Sequence, residues 1–395
     1  MASIFHLLSD INLTILLTTS TVTLIGTTIY FYMKSTNKPS SIASSSVITV
    51  ITPSTTSSVP STLETLSKNI SHSFGYSLVN FVLTITKRKN NLSFIPSFYA
   101  RLLADRKNNS LPSYWNRRLL QFEIITTASE YIKFFNYPAS SLLASSVPTF
   151  INTRLFHGIP QSLTSLSELE QSKQIKGILI YLHGGCYTFT STPYHWNFVS
   201  HICSTLQYRL FFIQYPLAPE STVTNTLQTV EHIISSIMLK YPHTSLHVMG
   251  DSAGGGLTLS VIQKLATSLN NPKSSFITKE QYTYLKSCTL IAPWLDIQLQ
   301  NPNILSTLPN DPMLDIPGLQ EAGKLYAGIH TKTYKQYYNT SKNKPSLSSS
   351  TIAPNPSIIT YNEEDLSSEQ YNTLLSSPYV NPLYGTLINL PLNIT

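Results

Sequence analysis

Between Ser245 and Ile262 the chain changes period, and the residues at the change restrict what it can fold into. Ser245 to Met249 reads as a short apolar strand, and Leu257, Leu259, Val261 and Ile262 recur as the apolar side of a helix. The two are joined by Gly250-Asp251-Ser252-Ala253-Gly254-Gly255. Small residues on both sides of Ser252 let a strand turn sharply into a helix, because a side chain at Gly250 or Gly254 would crowd the bend. A turn of this kind holds a serine hydroxyl up at the end of a strand, the geometry of a nucleophile.

A second strand with a glycine-rich end lies upstream. Gly177 to Leu182 is continuously apolar and runs into His183-Gly184-Gly185-Cys186-Tyr187. Consecutive small residues after a strand leave backbone N–H groups unobstructed, as an oxyanion requires. The expected donors are the N–H groups of Gly185 and Cys186, with Gly184 beside them, and that of Ala253 after the nucleophile. Strands at 177–182, 209–214, 245–249 and 287–292 alternate with helices near 195–206, 222–240 and 254–268. That alternation predicts a mainly parallel sheet with helices on both faces. Gln121–Ile125 and Tyr131–Phe135 are candidate early strands, and 331–376 reads as a low-complexity insertion.

The chain resembles the hormone-sensitive-lipase-like branch of the α/β-hydrolases, and within it the fungal steryl acetyl hydrolases. Four blocks carry the resemblance: His183-Gly184-Gly185; Tyr215-Pro216-Leu217-Ala218-Pro219-Glu220; Gly250 to Gly255; and Ala292-Pro293-Trp294-Leu295-Asp296, followed by Asp311-Pro312-Met313-Leu314. Two positions depart from the family pattern, Cys186 where Gly or Ala is usual and Leu217 where Arg is frequent. The resemblance implies an α/β-hydrolase fold with an N-terminal cap. It also implies a serine carboxylic-ester hydrolase of lipophilic acetyl or short-acyl esters, with Ser252 as nucleophile and His183, Gly184, Gly185, Cys186 and Ala253 around the oxyanion. His183 supports that loop through its ring.

In such enzymes an acid and a histidine follow the serine in the chain. After Ser252 the single histidine is His330, behind the helix-like stretch Gly318 to Gly328. The family's acid and base follow later strands, and Leu390 to Thr395 resembles the entry to the first of these, so the resemblance implies that the last two strands, acid and base are missing. Asp296 reads as structural, and His330 as a base is the lesser reading. His195, His201, His232, His243 and His247 read as surface or packing residues. An inactive lipid-binding pseudoenzyme, or a truncated product without function, is the alternative to the enzyme.

Ile11 to Met33 is an uncharged stretch of 23 residues closed by Lys34 and Lys38, and about 20 apolar residues span a bilayer. Residues 1–34 are therefore expected to form a membrane anchor, 35–60 a Ser/Thr/Pro-rich linker, and 61–395 an incomplete hydrolase domain. A cleaved signal peptide is the alternative for the first segment. The lysines favour a cytosolic body, whereas the resemblance and sequons at Asn69, Asn91, Asn108 and Asn339 favour a single-pass protein of the endoplasmic-reticulum membrane facing the lumen. Only 11% of the residues are charged, with a net charge of +7, and no aromatic and basic interleaving points to nucleic acid. Cys186, Cys203 and Cys288 lack the number for a disulfide framework and the spacing for a metal site, and no cofactor is implied.

Overall fold

Residues 178–182 are buried on both sides, and their side chains divide with period two between two apolar layers. Ile178, Ile180 and Leu182 point into one, and Leu179 and Tyr181 into the other. Only a strand inside a sheet covered by helices on both faces buries an unbroken apolar run in this way. The computed structural model describes residues 111–137, 153–271, 275–301, 316–342 and 359–385, with Phe98, Tyr99, Leu102, Asp105, Leu143, Asn303, Ile304 and Leu314. All lie within one compact unit, residues 92–395.

The described strands of the main sheet are β1 (Leu120–Ile125), β2 (Arg154–Pro160), β3 (Gly177–Leu182), β4 (Tyr208–Gln214), β5 (Leu246–Asp251) and β6 (Leu285–Ile291). Their order is β1-β2-β4-β3-β5-β6. The pairs β1·β2 and β2·β4 are antiparallel, and β4·β3, β3·β5 and β5·β6 are parallel. Helices α1 (Tyr114–Leu119), α2 (Ala128–Phe135), α3 (Glu168–Gln174), α4 (Pro193–Leu206), α5 (Val223–Lys240), α6 (Ser252–Ser268) and α7 (Lys279–Tyr282) connect them. After β6 come α8 (Ile316–Tyr326), β7 (Ile329–His330), α9 (Lys332–Lys342), β8 (Tyr361–Asn362) and α10 (Ser368–Ser376), with β7 and β8 pairing separately. This is an α/β-hydrolase fold with a mostly parallel central sheet.

Trp196, Val199 and Cys203 of α4 cover the face reached by Leu179, Tyr181, Leu210 and Phe212. The Trp196 and Phe212 rings stack at 3.8 Å and 15°. On the opposite face, Leu227, Val230, Ile234 and Ile237 of α5 and Leu257, Val261 and Leu265 of α6 pack with Phe211, Ile213 and Val248. Carboxylate Glu231 of α5 pairs with Lys264 of α6 at 2.6 Å, with 5% and 28% of the two side chains exposed.

Two expectations are corrected. Tyr131–Phe135 lies in helix α2. Its start is fixed by a capping box in which Thr127 N–H donates to Glu130 Oε2 at 3.0 Å and Glu130 N–H to Thr127 Oγ1 at 3.2 Å. Tyr131 and Phe135, four residues apart, then fall on one buried side with their rings 4.5 Å apart, a contact one helical turn allows and an extended strand, which would set them about 13 Å apart, does not. Within 331–376, read as a low-complexity insertion, residues 331–342 and 359–376 hold the helices α9 and α10, and Thr331 and Tyr334 are buried, so these two parts belong to the folded body, while 343–358 lie outside the described residues. The expected anchor at Ile11–Met33, the linker at 35–60 and the block Asp311-Pro312-Met313 lie outside the described residues. Among the described residues no helix is long and apolar enough to cross a membrane.

Candidate active site

The sheet brings the two glycine-rich segments together. Strands β3 and β5 are parallel neighbours with Leu182 opposite Gly250, so His183 and Ser252 leave adjacent strands at the same edge. In parallel α/β sheets this carboxyl edge is where ligands bind. Ser252 is the first residue of α6 and has φ +51°, a left-handed conformation that a side chain occupies only under strain. The turn tolerates no bulk: a Cβ on Gly250 would stand 2.3 Å from the Gly254 carbonyl oxygen, and one on Gly254 would stand 2.1 Å from that of Leu182. Trp294 N–H closes the turn from outside by donating to the Ser252 carbonyl at 2.8 Å.

Ala253 is buried in the first turn of α6, whose N–H groups have no partner within the helix and carry the positive end of its dipole. Facing this turn, the chain after β3 runs through three successive residues with positive φ: Gly185 at +128°, Cys186 at +54° and Tyr187 at +59°. The departure at Cys186 thus falls where a side chain is strained, at a cost of about 1 kcal/mol relative to glycine. Among the described residues the Gly185 N–H donates to no other group, while its carbonyl accepts from Thr188 and Phe189 at 2.9 and 2.8 Å.

His183 stands under this loop. Its Nδ1 lies 2.7 Å from the Gly184 carbonyl, which makes Nδ1 the donor, and Tyr215 Oη donates to the His183 carbonyl at 2.6 Å. The His183 and Tyr215 rings stack at 4.6 Å and 13°. Burial, then the neighbouring His195, lowers the His183 pKa to about 4, which keeps the ring neutral and supporting. The Tyr187 ring is buried against Tyr326 at 3.8 Å, and the Tyr187 carbonyl accepts from Ala218 N–H at 2.9 Å.

Gly184 does not take the role expected of it. Its N–H donates to Asp251 Oδ1 at 2.8 Å and so is not directed at an oxyanion. A Cβ there would stand 2.3 Å from Asp251 Oδ2, so the glycine serves the approach of that carboxylate. Asp251 also accepts from Tyr181 Oη at 2.5 Å and from His195 Nε2 at 3.3 Å. Thr192 N–H donates to His195 Nδ1 at 2.8 Å, which fixes the tautomer with its hydrogen on Nε2. Burial raises the Asp251 pKa, but the hydrogen bond from His195, then those from Tyr181 and the Gly184 N–H, outweigh it and hold the carboxyl below its usual range. His195, expected to be a packing or surface residue, is therefore part of the site's frame. The one sequence signal for this frame is an ionisable residue placed inside the strand-to-helix turn, immediately before the serine.

The remaining ionisable residues have other partners. Asp296 accepts from the backbone N–H groups of Gln300 and Asn301 at 2.8 and 3.1 Å and from Asn381 Nδ2 at 3.4 Å, which braces the segment after β6. His330 pairs in the small β7·β8 sheet with its ring 4.7 Å from Tyr334, and burial lowers its pKa to about 4. Among the described residues no histidine hydrogen-bonds the Ser252 hydroxyl, and no cluster of His, Cys, Asp and Glu is arranged to hold a metal ion.

A strained serine at a helix N-terminus, opposite a loop of left-handed residues on the next strand, defines a class of α/β fold that is recognisable beyond this chain. Residues 179–386, just over half the chain, match the family described as alpha/beta hydrolase fold, and the chain belongs to that family. An esterase of Acinetobacter venetianus is 22% identical over 160 residues, 40% of this chain and 49% of the relative. A triacylglycerol lipase of Mycobacterium tuberculosis is 23% identical over 184 residues, 45% and 39% of the two chains. A versiconal hemiacetal acetate esterase of Emericella nidulans is 29% identical over 90 residues, 23% and 32% of the two. The chain thus spans about a third to a half of the length of these curated relatives. Among solved structures, a hormone-sensitive lipase from a metagenome library is similar with a TM-score of 0.47 at 14% identity, covering 80% of this chain and 76% of that one.

Proposed function

We propose that the protein is a carboxylic-ester hydrolase of acetyl or short-acyl esters of lipophilic alcohols, steryl acetates among them, with Ser252 as nucleophile. The observation that carries the reading is the left-handed Ser252 at the start of α6, opposite the Gly185–Cys186 backbone. In the reaction Ser252 Oγ attacks the acyl carbonyl, whose oxygen becomes an alkoxide, and the proton of the serine hydroxyl passes through water to the alcohol oxygen that departs. The N–H groups of Gly185, Cys186 and Ala253 stabilise that charge, while Asp251 holds Gly184 and the two strand ends in place. The bond to the alcohol then breaks, leaving an acyl-enzyme that water cleaves to the carboxylic acid. Similarity to an esterase, a lipase and an acetate esterase supports ester substrates, and the acetate esterase supports a short acyl group. The uncharged stretch Ile11–Met33 supports single-pass anchorage in the endoplasmic-reticulum membrane, where a steryl ester partitions.

The test is covalent labelling by a fluorophosphonate together with turnover of p-nitrophenyl acetate and cholesteryl acetate. Labelling that maps to Ser252 and disappears in Ser252→Ala, with turnover falling at least about a thousandfold, is expected. Binding of cholesteryl acetate with neither labelling nor turnover is the result expected of an inactive lipid-binding protein and overturns the proposal.

A further inference from the structure

Helix α1 places two of the chain's largest amphipathic side chains in solvent. Tyr114 and Trp115 are each 67% exposed. Along the outer side of the neighbouring α4, Tyr194, Phe198 and Leu206 are 38%, 44% and 45% exposed. The two helices pack together and are tied by Asn116 Nδ2, which donates to Asn197 Oδ1 at 2.9 Å from a buried residue. The exposed side chains therefore stand on two helices that pack against each other.

The charge on these two helices has a single sign. The Arg118 guanidinium lies 4.5 Å from the Tyr114 ring centre and 4.8 Å from that of Trp115, and its Nη2 donates to Tyr114 Oη at 2.7 Å. Arg117 is exposed beside it. Neither 114–119 nor 193–206 contains Asp or Glu, and among the described residues neither arginine has a carboxylate partner. The whole chain carries +7.

From this we propose that the α1–α4 face docks on an anionic phospholipid surface, with Trp115 and Tyr114 at headgroup level and Arg117 and Arg118 against the phosphates. Tryptophan and tyrosine favour this depth because their rings are apolar and their N–H and O–H groups remain hydrated. Arg117 and Arg118 attract an anionic leaflet, and no carboxylate on either helix repels it. The contact uses none of the residues of Ile11–Met33. His195 lies in the first turn of α4 and binds Asp251, so the docked face begins beside the candidate site. That the site then faces lipid-dissolved ester rests on the esterase reading, whereas the docking does not.

The test uses the full chain and intrinsic fluorescence. Of the three tryptophans Trp196 is buried and Trp294 half-buried, so lipid contact at this face is reported by Trp115. Vesicles of brominated phosphatidylglycerol are expected to quench the emission that Trp115→Phe removes, and brominated phosphatidylcholine to quench it far less. The paired substitution Arg117→Glu with Arg118→Glu is expected to raise the lipid needed for half-quenching about tenfold or more. Equal quenching by both lipids, or quenching unchanged by the charge reversal, overturns the proposal. So does vesicle binding without quenching of Trp115, which would mean that another segment holds the membrane and leave the face to a protein partner. None of these readouts depends on ester hydrolysis.

Discussion

At Asp251 one carboxylate joins three elements: Tyr181 of β3, Gly184 of the loop that follows it, and His195 of α4 all donate to it. Because the residue directly precedes Ser252, the position of the loop and the strain at the serine are set by the same group. Asparagine in its place keeps one acceptor oxygen, which suits Tyr181 and Gly184, but turns an NH2 donor toward the Nε2–H of His195. Two donors then face each other, and His195 escapes only by losing the hydrogen bond from Thr192 N–H. Asp251→Asn is expected to destabilise the fold by about 1–2 kcal/mol, the cost of a half-satisfied network that is only partly buried, with 23% of the Asp251 side chain and 17% of that of His195 exposed. His195→Ala is expected to cost much less in that background than in the native chain. Urea denaturation of the two single variants and the double variant gives the coupling, and additive losses would show that His195 and Asp251 do not act together.

At the scale of elements, α5 and α6 pack on the same face of the sheet and share the pair Glu231–Lys264. Removing the cation in Lys264→Ala strands a nearly buried carboxylate. The expected loss is about 2–3 kcal/mol, below that of a fully buried pair because Lys264 keeps 28% exposure. Glu231→Gln in the same chain should recover part of it, and thermal or urea midpoints that leave the single and double variants equal would contradict the account. The elements themselves were largely legible. The spacing predicted a strand at 177–182 and a helix at 222–240, and β3 and α5 fall within one residue of them, because an apolar run or a helical stripe suffices to specify such segments. Strand β2 was not legible. Arg154 to Pro160 contains His, Gly and Pro, and its buried imidazole is accommodated because His157 finds Glu123 on β1 and Arg209 on β4. The candidate site divides the same way: glycine spacing pointed to the segments that carry Ser252 and Gly185, whereas the Asp251 frame depends on which strands become neighbours, information carried by the sheet order and not by any local window.

For the molecule as a whole, acid stability follows from histidines folded in their neutral form. His183, His157 and His232 are buried in separate parts of the structure, and each is held at a pKa of about 4, chiefly by burial. Their hydrogen bonds fit the neutral ring. Arg209 Nη1 donates to His157 Nε2 at 2.7 Å, and His232 gives Nε2–H to the Leu143 carbonyl at 3.0 Å while Nδ1 lies 3.0 Å from Tyr131 Oη. Unfolded histidine titrates near 6.5, so between about 6.5 and 4 the unfolded chain binds the protons that the folded chain refuses. Stability from these residues is complete above pH 6.5 and falls as the pH drops toward 4. Asp251, held low, keeps its contribution until the pH falls below the ordinary carboxylate range, so it adds a second loss only under more acidic conditions. Each buried histidine sets a slope of at most about 1.4 kcal/mol per pH unit within the window. The urea midpoint of the full chain is therefore expected to fall steeply from pH 7 to pH 5 and to change little from pH 7 to pH 8. His232→Gln, which can still donate to the Leu143 carbonyl, should lower stability at pH 7 yet flatten the acid limb, since one titrating site is gone. An unchanged acid slope in that variant would place the loss elsewhere than in the buried rings.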